Sequence, residues 1–147
     1  MNRKEFIQTC GGACIGLLGL SILSSGCSAA KMVNASIEED SLLLPLSTFE
    51  KTKGADEKQY FSYLVAQNSE LSYPVYIYRI DENNYSALLM RCTHQGTELQ
   101  AFGDQLQCPA HGSTFSNNGT VNNGPATNNL RTFRVTIVNN QLKISLK

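Results

Sequence analysis

Two histidines occur in this chain of 147 residues, and each stands just behind a cysteine. In "CTHQG" His94 lies two residues after Cys92, and in "CPAHGSTF" His111 lies three after Cys108, with thirteen residues between the two pairs. Two thiolates and two imidazoles can hold one tetrahedral Zn²⁺ or a [2Fe-2S] cluster with cysteines on one iron and histidines on the other. The spacing by itself leaves both open. A disulfide between Cys92 and Cys108 would also employ the two cysteines, but it would leave the adjacent histidines without a role.

If both histidines are ligands, other chemistries drop out. A serine or cysteine hydrolase has no histidine base left. A mononuclear iron site of two histidines and a carboxylate has no histidine left either. Twelve Lys and Arg balance twelve Asp and Glu, so the surface offers no net field that would hold a nucleic acid by counterion release.

The elements that must position these residues are short. "SLLLPLSTF", "YFSYLVAQN", "YPVYIYRI", "YSALLMRC", "DQLQC", "RTFRVTIV" and "QLKISL" are rich in Tyr, Val, Ile, Leu and Phe and are bounded by turn residues. That pattern predicts an antiparallel, all-β domain. "DENN" at 81–84 and "NN" at 139–140 join apolar runs through residues that tolerate positive φ, and both predict hairpins. In "YPVYIYRI", Tyr76, Tyr78 and Ile80 alternate with Val75, Ile77 and Arg79. One face can therefore enter a core while the other packs a second sheet. Each cysteine–histidine pair directly follows a strand, so two loops can converge at one tip.

The residues around the pairs carry a resemblance. "CTHQG" with "CPAHGSTF", followed by "GTVNNGPA", resembles the Rieske iron–sulfur family, whose loops read C-T-H-x-G and C-P-x-H-G-S and whose cluster lies under a glycine–proline stretch. The likeness runs from about Tyr73 to Lys147. It implies a β-sandwich with two cluster-binding loops at one tip and one [2Fe-2S] cluster per chain. Cys92 and Cys108 would bind the buried iron, and His94 and His111 the outer one. Gly96 and Gly112 would let backbone N–H groups approach the sulfurs, Ser113 would donate to a bridging sulfide from the loop tip, and Pro125 would lie in the covering loop.

Three positions depart from the quinol-oxidising members. Thr97 and Ala110 stand where those carry a pair of disulfide-forming cysteines, and Phe115 stands where they carry a tyrosine donor. A potential below the top of the family's range is the expected consequence. The resemblance implies a one-electron carrier. The alternative is the small subunit of a membrane-associated oxidoreductase, of the quinol–cytochrome c reductase or arsenite-oxidase type, with a cytochrome, quinol-linked or molybdenum-subunit partner. A structural zinc module is the remaining reading of the ligand set.

Residues 1–30 read as a separate segment. Arg3 and Lys4 precede a run with no charge between Glu5 and Lys31, and small residues follow, as in an export signal. The run is long enough for a retained spanning helix, although Gly11, Gly12, Gly16 and Gly19 weaken it. "LSSGC" resembles a lipoprotein box with Cys27 as the lipidated residue, Leu23 lying one place earlier than the usual leucine. "NRKEFIQ" resembles a twin-arginine signal with Lys4 for the second arginine. Each reading places the domain on the extracytoplasmic side of a bacterial inner membrane, because the positive end stays in the cytoplasm. Residues 31–40, polar and acidic, are expected to form a flexible tether, and 41–147 the folded domain.

Overall fold

Alternating apolar residues become strands with two buried faces. The computed structural model describes residues 30–51 and 58–147; the signal, anchor and Cys27 readings fall outside them. The strands are β1 (Met32–Asn34), β2 (Ser36–Glu38), β3 (Ser41–Pro45), β4 (Glu50–Lys51), β5 (Gln59–Tyr60), β6 (Tyr63–Gln67) and β7 (Val75–Arg79). They continue with β8 (Tyr85–Leu89), β9 (Gln100–Phe102), β10 (Gln105–Gln107), β11 (Thr114–Ser116), β12 (Val121–Asn123), β13 (Thr132–Val138) and β14 (Gln141–Ser145). A single 3₁₀ turn, Leu46–Phe49, follows β3. Every run predicted as a strand contains one, and both predicted hairpins form. Asn139 and Asn140 take φ of 49° and 61° between β13 and β14, the pair of positive values a type I′ turn requires. At the other hairpin the Asp81 carboxylate accepts from the Asn83 and Asn84 N–H groups. The Asn84 side-chain amide, ahead of these N–H groups, holds that carboxyl below its usual range.

The main sheet has eight strands in the order β1-β6-β7-β8-β13-β14-β3-β2. Its two outer strands, β1 and β2, are consecutive in the chain with only Ala35 between them. The sheet therefore closes on itself: segment 32–38 pairs in parallel with β6 and then antiparallel with β3. At the seam the Ala35 N–H donates to the Gln67 carbonyl (3.0 Å), and the Asn68 amide donates to the Ala35 carbonyl (2.9 Å). Closure removes two free edges.

This corrects the expectation of a flexible tether over 31–40. Val33, Ala35 and Ile37 alternate with polar residues; Ala35 is buried, and Val33 and Ile37 pack against the same core. Three apolar residues at period two are a strand signal too short to stand out among acidic neighbours.

Leu42, Leu44, Leu64, Val75, Ile77, Ala87, Leu142 and Ile144 fill the space inside the closed sheet. The alternate residues of β6, β7 and β8 face outward into a second core: Tyr63, Val65, Tyr76 and Leu88, with Met90 just beyond. A four-stranded sheet, β12-β11-β10-β9, covers that face. Buried Tyr76 crosses between the sheets and donates to the Gly103 carbonyl at the β9–β10 turn (2.7 Å). Burial, with Tyr78 and Tyr63 nearby, pushes its phenol far above the ordinary range, so it remains a donor. The alternation in "YPVYIYRI" thus separates two cores as expected.

Deleting residues 32–38 would uncover the inner core and free the edges of β6 and β3. A cost on the order of 3 kcal/mol is expected from the apolar burial lost, read as a lower urea midpoint. An unchanged midpoint would return the segment to the role of a tether.

Candidate metal centre

The two cysteine–histidine loops are hairpin turns wired alike. The first joins β8 to β9 and is closed at its base by a bridge between Arg91 and Glu98. The second joins β10 to β11, whose register pairs Gln107 with Thr114. In each, the cysteine N–H donates to the carbonyl five residues on: Cys92 to Thr97 and Cys108 to Ser113, both 2.8 Å. The glycine four residues on donates back to the cysteine carbonyl, Gly96 at 2.8 Å and Gly112 at 3.0 Å. These glycines have φ of 75° and 78°, where a side chain is strained. Their N–H groups donate to the cysteine carbonyls, and the left-handed φ favours glycine at both positions.

Both thiols are buried, Cys92 at 2% and Cys108 at 1% exposure, and both are free. His94 and His111 are exposed, with ring centroids 5.1 Å apart at 85°. The donors stand as an inner sulfur pair and an outer imidazole pair. Among the described residues no three His, Cys, Asp or Glu side chains gather around one point. Two pairs at two depths fit a two-iron cluster better than a single tetrahedral ion, which would draw all four donors together.

Groups around the inner pair favour thiolate. Burial pushes the Cys108 thiol up, but the Ala110 N–H, the Cys92 thiol, the His111 N–H and the Thr97 hydroxyl together bring it below its ordinary range. Thr97 belongs to the other loop. Ser113 is fully buried and accepts the Ala126 N–H (3.0 Å). That bond uses an oxygen lone pair and leaves the hydroxyl proton for another acceptor, as a sulfide would provide.

Pro125 is exposed and directly precedes Ala126. Its segment is tied to the second loop by the Ser113–Ala126 bond and to the first by the Thr93 hydroxyl donating to the Asn128 carbonyl (2.7 Å). The glycine–proline stretch therefore spans both loops.

Sequence reasoning missed Tyr73 and Arg91. The Tyr73 hydroxyl donates to the Gly96 carbonyl (2.8 Å), and the Arg91 guanidinium lies over the Tyr73 ring at 5.7 Å. Nothing in the spacing marks either residue, since the contact joins segments 23 positions apart. Thr97 was noted only as the absence of a cysteine. Ser113, expected at the loop tip, is fully buried, and so is Phe115. Phe115 sits on β11 opposite Leu106 in the second core, because β11 begins immediately after the loop. A tyrosine there would need a cysteine sulfur as its acceptor, since its other neighbours are largely apolar.

Ser113→Ala is expected to lower the midpoint potential of the loaded protein by about 40 to 90 mV, the equivalent of a donor worth about 1 to 2 kcal/mol more to the reduced state. Thr97→Val should shift it the same way. Protein-film voltammetry reads both, and an unmoved Ser113→Ala variant would remove Ser113 from the cluster environment.

A family model described as the Rieske [2Fe-2S] domain matches residues 51–134. The chain is similar to the cytochrome b6-f complex iron-sulfur subunit 3 of Nostoc sp. (strain PCC 7120), 37% identical over 60 residues, which are 40% of this chain and 34% of that one. It is also similar to the cytochrome b6-f complex iron-sulfur subunit 1 of Synechocystis sp. (strain PCC 6803), 39% identical over 56 residues, 37% and 32% of the two chains. The match thus spans about a third of these relatives' length. Among solved structures, the cyanobacterial plasma membrane Rieske protein PetC3 from Synechocystis PCC 6803 aligns with TM-score 0.50 and 25% identity, covering 57% of this chain and 86% of that one.

Proposed function

Because the chain belongs to the Rieske [2Fe-2S] domain family and is an electron carrier of that type, we propose that it works on the extracytoplasmic side of a bacterial inner membrane. In this reading Cys92 and Cys108 hold the buried iron, and His94 and His111 hold the outer one. The observation that carries the ligand assignment is the depth ordering of the donors, a buried sulfur pair beneath an exposed imidazole pair on two loops of the same wiring.

A bound cluster with two nitrogen ligands supplies reversible one-electron transfer at a higher potential than an all-cysteine one. The chain's own residues set its surroundings. Met90, Leu99, Leu106 and Phe115 exclude water from the cysteine side. The Ala110 and His111 N–H groups and the Thr97 hydroxyl stabilise negative charge on the Cys108 sulfur.

Membrane attachment is supported by the export-type segment with Cys27 and by the relatives, which include subunits of cytochrome b6-f complexes and a plasma membrane protein. Those names also support a cytochrome-containing partner. Among the described residues no helix is long and apolar enough to cross a membrane; in this reading attachment falls to residues 1–30. Thr97, Ala110 and Phe115 favour a carrier of intermediate potential over a quinol-oxidising subunit.

After anaerobic, iron-replete expression the reduced protein should give the paramagnetic resonance of a mixed-ligand [2Fe-2S] centre. A colourless protein with stoichiometric zinc would overturn this. Cys27→Ser should move the protein from the membrane to the soluble fraction; unchanged fractionation with the apolar run retained by mass spectrometry would establish a helical anchor instead.

A further inference from the structure

The strand that delivers Cys92 ends in a tight turn. The Met90 N–H donates to the Pro74 carbonyl (3.0 Å), and the Arg91 N–H donates back to the Leu89 carbonyl (2.8 Å). Met90 stays in the second core, while Arg91 is exposed. The same Met90–Pro74 bond sets Tyr73, the residue before Pro74, beside the start of the first loop. Its hydroxyl crosses to the Gly96 carbonyl (2.8 Å), and the Arg91 guanidinium lies over its ring at 5.7 Å.

The guanidinium also lies against the loop itself. A Cβ placed on Gly96 would meet Arg91 Nε at 3.2 Å and Nη2 at 3.4 Å, whereas one placed on Gly112 would meet none of the described residues within 4 Å. Both glycines have a left-handed φ, so what distinguishes them is the guanidinium packed on the first loop alone. Arg91 is thus held between the Tyr73 ring and the backbone of the loop that carries His94.

Its charge is not cancelled by direct contact. Among the described residues the one ion pair joins Lys147 to Asp40; Glu98, opposite Arg91 in the bridge, makes none. The two loops, 92–97 and 108–113, contain no Lys, Arg, Asp or Glu. Other charged groups at this end of the main sheet belong to other elements. Arg131 donates to the Leu146 carbonyl (2.7 Å) and lies over Phe133. Glu38, Glu39 and Asp40 stand at the β2–β3 turn, and Glu70 in the β6–β7 connection.

From this geometry we propose that Arg91 is a fixed positive charge that raises the midpoint potential of the cluster, and that Tyr73 is the residue that positions it. The proposal rests on the cluster reading above. A cluster takes up one negative charge on reduction, and a cation held against one of its loops stabilises that state more than the oxidised one. Because Arg91 is exposed, salt screens its field. Glu98 shares its face of the bridge and acts in the opposite sense.

The test is the midpoint potential of the full, cluster-loaded chain, titrated at low and high ionic strength, with the visible and paramagnetic-resonance spectra of each variant establishing that the cluster is present. At low salt Arg91→Gln should lower the reduced-to-oxidised ratio at a fixed poise about threefold, equivalent to about 28 mV for one electron, and by less at high salt. Arg91→Lys keeps the charge and should recover at least about half of that shift, while Glu98→Gln should move the potential upward. Arg131→Gln removes a cation whose side chain is tied to the Leu146 carbonyl, and should move the potential less than about half as far as Arg91→Gln. Tyr73→Leu should lower the potential, and should do so less than about half as much when Arg91→Gln is also present. Tyr73→Phe, which keeps the ring beneath the guanidinium, should have a smaller effect than Tyr73→Leu. Equal potentials for the native chain and Arg91→Gln, or a shift that salt leaves undiminished and Arg91→Lys does not recover, would overturn the charge assignment. Additive shifts from Tyr73→Leu and Arg91→Gln would overturn the positioning role of Tyr73. A native chain without the iron–sulfur spectra would overturn the cluster reading instead.

Discussion

The centre depends on one backbone arrangement made twice: a cysteine N–H bonded five residues ahead, and a glycine N–H bonded back to the cysteine carbonyl. These reciprocal bonds satisfy polar groups that a buried cysteine would otherwise leave unpaired, and they close each loop so tightly that its fifth residue must take a left-handed φ. The closed loop leaves its third and fourth positions outside. One loop has histidine at the third and the other at the fourth, so both imidazoles reach the surface while both thiols stay inside. The sorting of nitrogen from sulfur follows from turn geometry before any metal binds.

The turns can do this only on a rigid base. β8 and β10 deliver the two cysteines, and β6, β7 and β8 divide their side chains between two cores, so the small sheet is held against the main one by apolar contact and by the Tyr76–Gly103 bond. The main sheet in turn has its seam closed by segment 32–38. Residues 32–38 therefore belong to the scaffold that carries the centre.

Between the loops the cross-link is non-covalent. The segment around Pro125 is bonded to both loops through Ser113 and Thr93. Such ties hold the loops together with weaker and reversible contacts, and each is also a donor or a packing group that bears on the electronic environment of the sulfurs. Tuning and bracing are done by the same residues.

How much of this was legible in the chain depends on range. The cysteine–histidine pairs, their loops and most strands were readable because each is a local pattern: C-x-H and C-x-x-H sit in turns of six residues, and strand alternation shows within five. The family resemblance rests on the same local motifs. The role of 32–38 was not readable, since Val33, Ala35 and Ile37 form a strand only when β6 and β3 stand ready on either side. Nor were the contacts of Tyr73 with Gly96 or Ser113 with Ala126, or the burial of Phe115. Each of these depends on which segments meet, and side-chain type constrains that only weakly. By itself the sequence determined which atoms can bind metal and that two turns present them; the tertiary structure alone decided their depth, their donors and the direction they face, because those arise from packing between segments far apart in the chain.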